Sequence, residues 1–315
     1  MRLYLFLLVS CLLLVLGSSL SYSAGNTVYE VLRNDVSARA AALGGTFVTM
    51  TDDPNVLFYN PAALATMKSR RISFGFFKHL LDVNSAHFSF GSDIKDYGHV
   101  GVGINYINYG EFKYRGEEGQ DLGYFGANEF VGQASYAGEL QPDLFYGAGA
   151  KFIYSAIANE KSTGVAVDLG LYYVAIPGRL AVGASLMNLG TQIDPYVSTR
   201  EKLPLDFKIG ATITPEHLPA AIMIGFNRLA DAKENAAGYI KDFSVGIEFT
   251  ASPNVQLRAG YSNEKRRELK LGGSAGLAGL SFGLGVNVDI YRFDYAYTSL
   301  GKIGAWHRIN VTLGL

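Results

Sequence analysis

Cysteine and charge are both scarce in this chain of 315 residues. It contains one cysteine, so the paired cysteines of a disulfide framework are missing. Charged residues make up 17% of the sequence, below the roughly 25% of an ordinary soluble domain. The 27 Lys and Arg balance 28 Asp and Glu, so the basic excess typical of a nucleic-acid binder is absent. We therefore expect neither a disulfide-stapled scaffold nor a nucleic-acid partner.

Long apolar runs are missing beyond the first 24 residues. Arg2 precedes an apolar run from Leu3 to Leu16, and small residues then lead to Ala24. This order is typical of an export signal, and the run is shorter than the roughly 20 residues that a spanning helix needs. We therefore expect residues 1–24 to be a signal peptide, removed together with Cys11, and we expect no transmembrane helix after it.

Glycine and aromatic residues, in contrast, are abundant: 37 Gly, 20 Tyr and 19 Phe. They fall into segments in which bulky and small residues alternate. Around residue 100 the bulky set interleaves with Gly101, Gly103 and Asn105, and similar alternation recurs at 165–171, 243–249, 280–286, 291–297 and 309–315. Bulky residues on one face and Gly, Ser and Asn on the other suit lipid outside and a lumen inside. A closed barrel also satisfies every backbone group where water is absent.

The spacing of these segments predicts the strand count. Segments begin near residues 71, 84, 98, 128, 143, 163, 179, 205, 220, 241, 255, 267, 279, 291 and 305. The segment near 267 alternates least, and single-chain barrels have even strand numbers, so we predict 14 strands over residues 71–315. The fold class is thus all-β, an antiparallel outer-membrane β-barrel. The longest connections, 111–127, 191–204 and 230–239, are predicted to be outer loops.

Residues 25–70 do not alternate. Asp35 or Ser37 is a plausible N-cap for a short helix that Gly44-Gly45 would end. Two turn signals follow, Asp52-Asp53-Pro54-Asn55 and Asn60-Pro61-Ala62, in which proline can open a short helix. A segment of this length ahead of a barrel fits most economically inside the lumen or across its mouth. We therefore predict an N-terminal plug with some helix.

These residues resemble the amino-terminal signature of the PorV/PorQ outer-membrane proteins. The resemblance is carried by Ser37-Ala38-Arg39, Ala42-Leu43-Gly44-Gly45, Asp52-Asp53-Pro54 and Asn60-Pro61-Ala62. It extends along most of the chain and leans to PorQ, through the segments 28–32, 106–112, 188–190, 203–206, 294–297 and 307–309. That group is similar to the FadL-type transporters of hydrophobic compounds, which are 14-stranded barrels with an N-terminal plug.

The resemblance implies a non-catalytic, cofactor-free component of the type IX secretion system in the bacterial outer membrane. It would be embedded in outer-membrane lipid and would anchor a surface partner of the attachment complex, PorZ-like and possibly PorU- or PorV-like. The candidate site is then the plug motif: Arg39, Gly44, Gly45, Asp53, Pro54, Asn60, Pro61 and Ala62. The alternative function is a FadL-like transporter of hydrophobic small molecules. A transporter should have a kinked strand or lateral opening and an apolar lumen pocket.

Other constellations predict no metal or cofactor. No two of the five histidines have metal-ligand spacing, and Asp52-Asp53 is not followed by a calcium-binding loop. The predicted lumen charges have two interpretations, an ion or ligand path, or a salt-bridged lumen that holds the plug; we favour the second because buried charges must be paired. They are Asp168, Lys208, Glu248, Arg258, Arg292, Asp294 and Arg308. Arg39 is a candidate anchor, paired in bidentate fashion with a lumen carboxylate.

Overall fold

The computed structural model describes residues 27–231, 233, 236–270 and 276–315, and the predicted signal peptide lies outside them. Within these residues fourteen antiparallel strands close into one barrel, each paired with its neighbour in sequence and the last paired with the first. This confirms the predicted fold and strand count. The strands are β1 (Arg71–Lys78), β2 (Asn84–Ile94), β3 (Gly98–Arg115), β4 (Asp121–Gln141), β5 (Leu144–Ile157), β6 (Glu160–Ile176), β7 (Leu180–Asp194), β8 (Asp206–Ile213), β9 (Ala220–Phe226), β10 (Phe243–Ser252), β11 (Val255–Ser262), β12 (Leu280–Val288), β13 (Tyr291–Ser299) and β14 (Ala305–Gly314).

Connections of two to six residues join the strands at one end of the barrel, and the longest connections lie at the other end. Bacterial barrels place short turns toward the periplasm, so we call these the inner and outer ends. The outer connections include residues 195–205, 227–242 and 263–279, and the last two carry short helices, α2 (Ala236–Ile240) and α3 (Asn263–Glu268). No described helix is long and apolar enough to cross a membrane.

The segment near 267, which the predicted count of 14 strands left out, is not a strand. Helix α3 lies there and begins where the Ser262 hydroxyl accepts a hydrogen bond from the Lys265 amide. One prediction about the connections is wrong. Residues 111–127, predicted as a loop, are mostly strand, because β3 continues to Arg115 and β4 begins at Asp121. Their polar residues and glycines hid an alternation that continues past the membrane.

The segment predicted to be the plug lies inside the barrel. It contains three 3₁₀ turns, Glu30–Arg33, Pro54–Phe58 and Pro61–Thr66, and one short helix, α1 (Ala38–Ala42). Its apolar side chains form the main buried cluster against the inner wall, and Leu43, Phe47, Leu57 and Leu64 are fully buried. The core of the protein is therefore the interface between this segment and the wall.

Small residues line the lumen because the plug backbone approaches the wall closely. A Cβ added to Gly260 would lie 2.2 Å from the Gly44 nitrogen, and one added to Gly147 would lie 2.3 Å from the Ala62 nitrogen. Since real Cβ atoms do not approach backbone this closely, the plug would have to move. Glycine on the second face of the strands thus reflects packing space for the plug.

We predict that Gly260→Ala destabilises the barrel by about 1–3 kcal/mol, the usual cost of overpacking. The temperature at which the folded band disappears on a semi-native gel should fall. Gly126→Ala is the matched control, because its nearest neighbour would be the Gly110 carbonyl at 3.7 Å. Equal midpoints for the two variants would contradict the close plug contact.

Candidate functional site: the plug and its contacts with the wall

Two proline turns fix the shape of the plug. The Asp53 carboxylate accepts a hydrogen bond from the Asn55 amide at 3.0 Å, and Pro54 follows as the first residue of its turn. The Asn60 side chain repeats the arrangement by accepting from the Ala62 amide at 3.1 Å. Each side chain thus satisfies a backbone donor that the short turn would leave unpaired.

The same Asn60 side chain also binds the wall. Its amide nitrogen donates to the Val48 carbonyl at 2.9 Å and to the Leu171 carbonyl of β6 at 3.0 Å. The wall residue Gly170 provides the room, since a Cβ there would lie 2.1 Å from the Asn60 oxygen. The Asn-Pro-Ala turn therefore joins the plug to one side of the barrel.

Arg39 joins the plug to a second part of the wall, four strands away from β6. Its guanidinium makes a bidentate contact with Glu248 of β10, at 2.8 and 2.6 Å, and also reaches Asp53 at 3.3 Å. The bidentate pairing with a lumen carboxylate is the geometry that the sequence suggested for this arginine. Planar guanidinium and carboxylate groups paired in this way fix orientation as well as distance.

These contacts continue into a closed ring of alternating charge. Arg258 bridges Glu248 at 2.6 Å and Asp294 at 2.7 Å. Arg292 bridges Asp294 at 2.9 Å and Asp53 at 2.5 Å, which returns the path to Arg39. Three arginines and three carboxylates therefore neutralise one another, and no side chain of the six is more than 12% exposed.

The ring keeps its plug members ionised. Burial alone would raise the pKa of Asp53, but Arg292 and Arg39 outweigh it and hold that pKa below its usual range. Burial would likewise lower the pKa of Arg39, yet Glu248 and Asp53 hold it above its usual range. Each buried charge is thus stabilised by two opposite charges, as a charge away from water must be.

The remaining motif residues shape the path of the chain. Gly44 and Gly45 follow α1 with φ angles of 69° and 86°, a backbone conformation that glycine adopts without strain. Gly44 also lies against β11, where a Cβ would be 2.9 Å from the Tyr261 nitrogen. Ser37 occupies the N-cap position of α1 but makes no side-chain capping bond, so the predicted capping role is not seen there.

Of the other predicted lumen charges, Asp168 and Arg308 are buried and Lys208 is partly buried. Lys151 of β5 lies 2.9 Å from Asp168, and Lys208 lies 3.2 Å from Asp206. Arg308 instead donates to the Asp35 carbonyl at 3.2 Å and stacks over the Phe77 ring at 3.6 Å.

Sequence reasoning missed several plug contacts. Asn310 of β14 accepts a hydrogen bond from the Ala38 amide at 2.9 Å, and the Tyr59 hydroxyl accepts from the Val36 amide at 2.9 Å. Lys265 of α3 pairs with Asp35. Asn310 is at a lumen-facing position of an alternating strand, so the sequence did indicate that its side chain faces the plug. The other two contacts depend on the folded path of the plug.

Near the outer end, the first described residues cover an apolar patch on the wall. We call residues 27–33 the N-terminal arm. Its Val28, Tyr29 and Val31 are buried against inward-facing residues of four strands and of the β7–β8 connection. We call these wall residues the apolar patch: Ile107, Val131, Ile153, Ala166 and Leu203.

The wall is irregular beside this patch. Asn188 of β7 has a φ of 64°, and the pairing of β6 with β7 shifts register between Val167 and Leu169. β8 pairs with β7 only from Leu180 to Met187. Beyond that point the β7–β8 connection covers the edge through side-chain bonds, such as the Asn188 amide to the Pro204 carbonyl at 3.1 Å.

A cavity lies at each end of the plug. The inner cavity of 580 Å³ is bordered by four ring members, Arg39, Glu248, Arg258 and Arg292. The outer cavity of 490 Å³ is bordered by the arm and α3, with Trp306 and Arg308 among its lining residues. The ring therefore faces a water-accessible vestibule on the inner side.

Comparison with known proteins identifies the fold. No protein-family model and no curated protein sequence matches the chain. Among solved structures it is similar to the Pseudomonas putida toluene transporter TodX, with a TM-score of 0.60 and 13% identity over 88% of this chain and 96% of that one. It is also similar to the Ralstonia pickettii toluene transporter TbuX, with a TM-score of 0.57 and 13% identity over 87% of this chain and 96% of that one. A Pseudomonas aeruginosa FadL homologue is similar as well, with a TM-score of 0.56 and 9% identity over 92% of this chain and 100% of that one.

The chain has the FadL-type fold. It is a multi-pass β-barrel of the outer membrane, and exposed bulky side chains such as Ile104, Leu169 and Phe282 form its apolar outer face. The comparisons do not show the narrower PorV/PorQ assignment.

We predict that Arg39→Ala loosens the plug, because it leaves Glu248 and Asp53 with one cation fewer in a buried site. Breaking a buried pair in this way costs about 3–5 kcal/mol. The gel-shift temperature of the folded barrel should fall, and Arg39→Lys should restore part of it. Arg179→Ala, which breaks a half-exposed pair with Glu216, is the control and should have little effect. An unchanged gel-shift temperature for Arg39→Ala would contradict the role of Arg39 in holding the plug.

The low pKa of Asp53 predicts acid sensitivity of a defined sign. A carboxylate with a depressed folded pKa adds stability that is present above its unfolded pKa and is lost as the pH falls through the folded one. Stability from this contact should therefore be constant from pH 5 to 8 and decline below about pH 4. Asp53→Asn should lower stability at neutral pH and flatten the acid decline. Thermal unfolding in micelles between pH 3 and 8 measures both effects, and parallel curves would contradict the assignment.

Proposed function

We propose that this chain is an outer-membrane channel for a hydrophobic small molecule. The observation that carries the proposal is the apolar patch near the outer end of the lumen, to which four neighbouring strands each contribute an inward-facing apolar side chain. The barrel is closed by the pairing of its strands, and this closure does not need such a patch. Binding sites for hydrophobic ligands are concave, mostly apolar and largely preformed, as this patch is.

The N-terminal arm covers the patch with few polar contacts. Tyr29 hydrogen-bonds Ser162 at 2.5 Å, the Val28 amide donates to the Lys202 carbonyl at 3.0 Å, and Arg33 pairs with Asp231 at 2.9 Å. The arm adds no strand of its own to the barrel. Its displacement would expose the patch while the ring of charges kept the rest of the plug in place.

Two further features support a channel for hydrophobic compounds. β7 is irregular at Asn188, directly beside the patch, where a positive φ coincides with a register shift in its pairing with β6. A break of this kind in the wall supports a transporter. Three proteins of the same fold are described as toluene transporters or as a monoaromatic hydrocarbon channel, namely TodX, TbuX and CymD. Those compounds are the first candidates to test here, and no catalytic step is part of this proposal.

The second candidate function is that of a PorQ-like anchor in a type IX secretion complex. It rests on the sequence resemblance and on a lumen filled by a plug that ion pairs hold on several strands. A filled barrel serves an anchor at least as well as an open one. Its partners would be surface proteins, PorZ-like and possibly PorU- or PorV-like, in addition to the surrounding outer-membrane lipid.

Uptake of radiolabelled toluene by cells that express the chain tests the channel. Ile153→Asp places a charge in the apolar patch, and we expect it to reduce uptake severalfold because that charge has no partner there. Tyr29→Ala with Val31→Ala loosens the arm and should increase uptake. Thr250→Val, which borders the inner cavity, is the control.

Raffinose entry, measured in parallel, separates a specific effect from a leak. The channel proposal fails if toluene uptake equals that of cells without the chain, or if Ile153→Asp leaves it unchanged at equal surface expression. Mild crosslinking and purification from the outer membrane tests the anchor. Recovery of a stoichiometric surface protein would favour the anchor, and recovery of the barrel alone would count against it.

A further inference from the structure

Two neighbouring strands are longer than a membrane requires. β3 has 18 residues and β4 has 21, whereas a spanning strand takes roughly 9–11. Tyr106, Phe130 and Tyr154 lie opposite one another on adjacent strands, as the outer row of bulky residues on the lipid face. The part of the hairpin beyond Asn108 and Asn128 therefore projects outward as a two-stranded ribbon, which we define as residues 109–127.

One face of this ribbon carries an exposed aromatic cluster. Phe112 lies opposite Phe125, and their rings stack at 5.4 Å. Tyr114 meets Phe125 edge-on at 6.1 Å. Phe112 is 42% exposed and Tyr114 is 54% exposed. Aromatic side chains of this size are costly to leave in water, so a contiguous exposed cluster marks an interaction surface.

The membrane does not account for this cluster. A polar stretch of Asn108, Gly110 and Glu111 separates it from the outer row of the lipid face, with Gly126 and Asn128 on the partner strand. β4 alternates without a break from the inward-facing Val131 to Phe125. The aromatic face is therefore a continuation of the lumen side and overhangs the mouth of the barrel.

Beyond its root, the ribbon has no strand partner on either edge among the described residues. β2 ends its pairing with β3 at Asn84 and Asn108, and β5 ends its pairing with β4 at Ile157 and Ala127. The last contact on the β5 side is the Ala158 amide, which donates to the Gly126 carbonyl at 3.0 Å. An unpaired strand edge presents amide and carbonyl groups that accept an added strand. A small hydrophobic molecule would use the aromatic rings and leave these edges unused.

The charges around the cluster are mostly acidic. Four carboxylates stand against two cations, a net charge of −2 (four acidic minus two basic residues) over residues 109–127. They are Glu111, Glu117, Glu118 and Asp121 against Lys113 and Arg115. A partner that covers the ribbon is favoured if its contacting segment is basic.

We propose that the ribbon docks a second protein at the cell surface, through an extended, net positive segment that pairs with a ribbon edge and covers the aromatic face with apolar side chains. The proposal is independent of what the lumen passes. If the anchor function is correct, the ribbon is the docking surface that it needs.

The test places a photoreactive phenylalanine derivative at Tyr114 in the bacterium that carries the chain. We expect one protein adduct, which is identified by mass spectrometry and then purified. This protein should form an equimolar complex with the full-length barrel in micelles. Phe112→Ser combined with Phe125→Ser should weaken the dissociation constant roughly tenfold or more, as loss of central aromatic contacts does. Raising the salt concentration should weaken it as well.

The matched control is Val197→Ser, which removes an 83% exposed apolar side chain from the β7–β8 connection and should bind as wild type does. The proposal is overturned by an adduct with lipopolysaccharide alone, by no adduct, or by equal binding of the double variant. It is also overturned if the double variant loses toluene uptake but keeps the protein complex. Loss of the complex with unchanged toluene uptake would support the docking role and leave the channel proposal standing.

Discussion

The ring of six alternating charges is the contact on which the plugged barrel depends. It brings together α1 and the Asp-Pro turn of the plug with strands β10, β11 and β13 of the wall. Because every member has two opposite neighbours, the ring is closed only when Arg39 and Asp53 of the plug are in place. Removal of the plug would leave Glu248, Arg258, Asp294 and Arg292 in the wall without Arg39 and Asp53. The wall therefore favours one occupant in one position.

An apolar seam could bury the plug equally well but would position it less sharply. Hydrophobic contacts tolerate sliding and rotation, whereas a bidentate guanidinium–carboxylate pair has one geometry. The glycines of the wall complement the ring. At Gly260 and Gly147 the plug backbone lies so close to the wall that a Cβ atom would not fit between them. The ion pairs fix the position of the plug, and the wall glycines leave room for its backbone.

This arrangement leaves the two ends of the plug unequally held. The middle of the plug and its inner end are bound by the ring and by Asn60, which contacts β6. The outer end is bound by apolar packing of Val28, Tyr29 and Val31 and by the ion pair of Arg33 with Asp231, apart from the ring. Movement of the arm alone would uncover the apolar patch while the ring kept the body of the plug in place.

The sequence predicted the barrel well because alternation is a local property. The two faces of a strand can be recognised within about ten residues of sequence. The two proline turns, at Asp53-Pro54 and Asn60-Pro61, can be recognised within about four. The ring of charges could not be predicted from the sequence, because Arg39 and Glu248 are 209 positions apart and their contact depends on the register of several strands. The ribbon was missed because a bulge between Asn108 and Glu111 interrupts the alternation and its polar residues imitate a loop.

The channel and docking proposals concern separate parts of the molecule. The apolar patch is on the lumen side of the wall and is covered by the arm, whereas the ribbon extends beyond the outer end of the barrel. Tyr109 is the residue that connects them: it packs against the patch cluster from the root of the ribbon, and its hydroxyl donates to Glu129 at 2.8 Å. Since Phe112, Tyr114 and Phe125 lie beyond that root, changes to them alter the outer surface without touching the residues that cover the patch. A filled barrel can therefore carry a protein outside and a hydrophobic site within, and neither role requires the other.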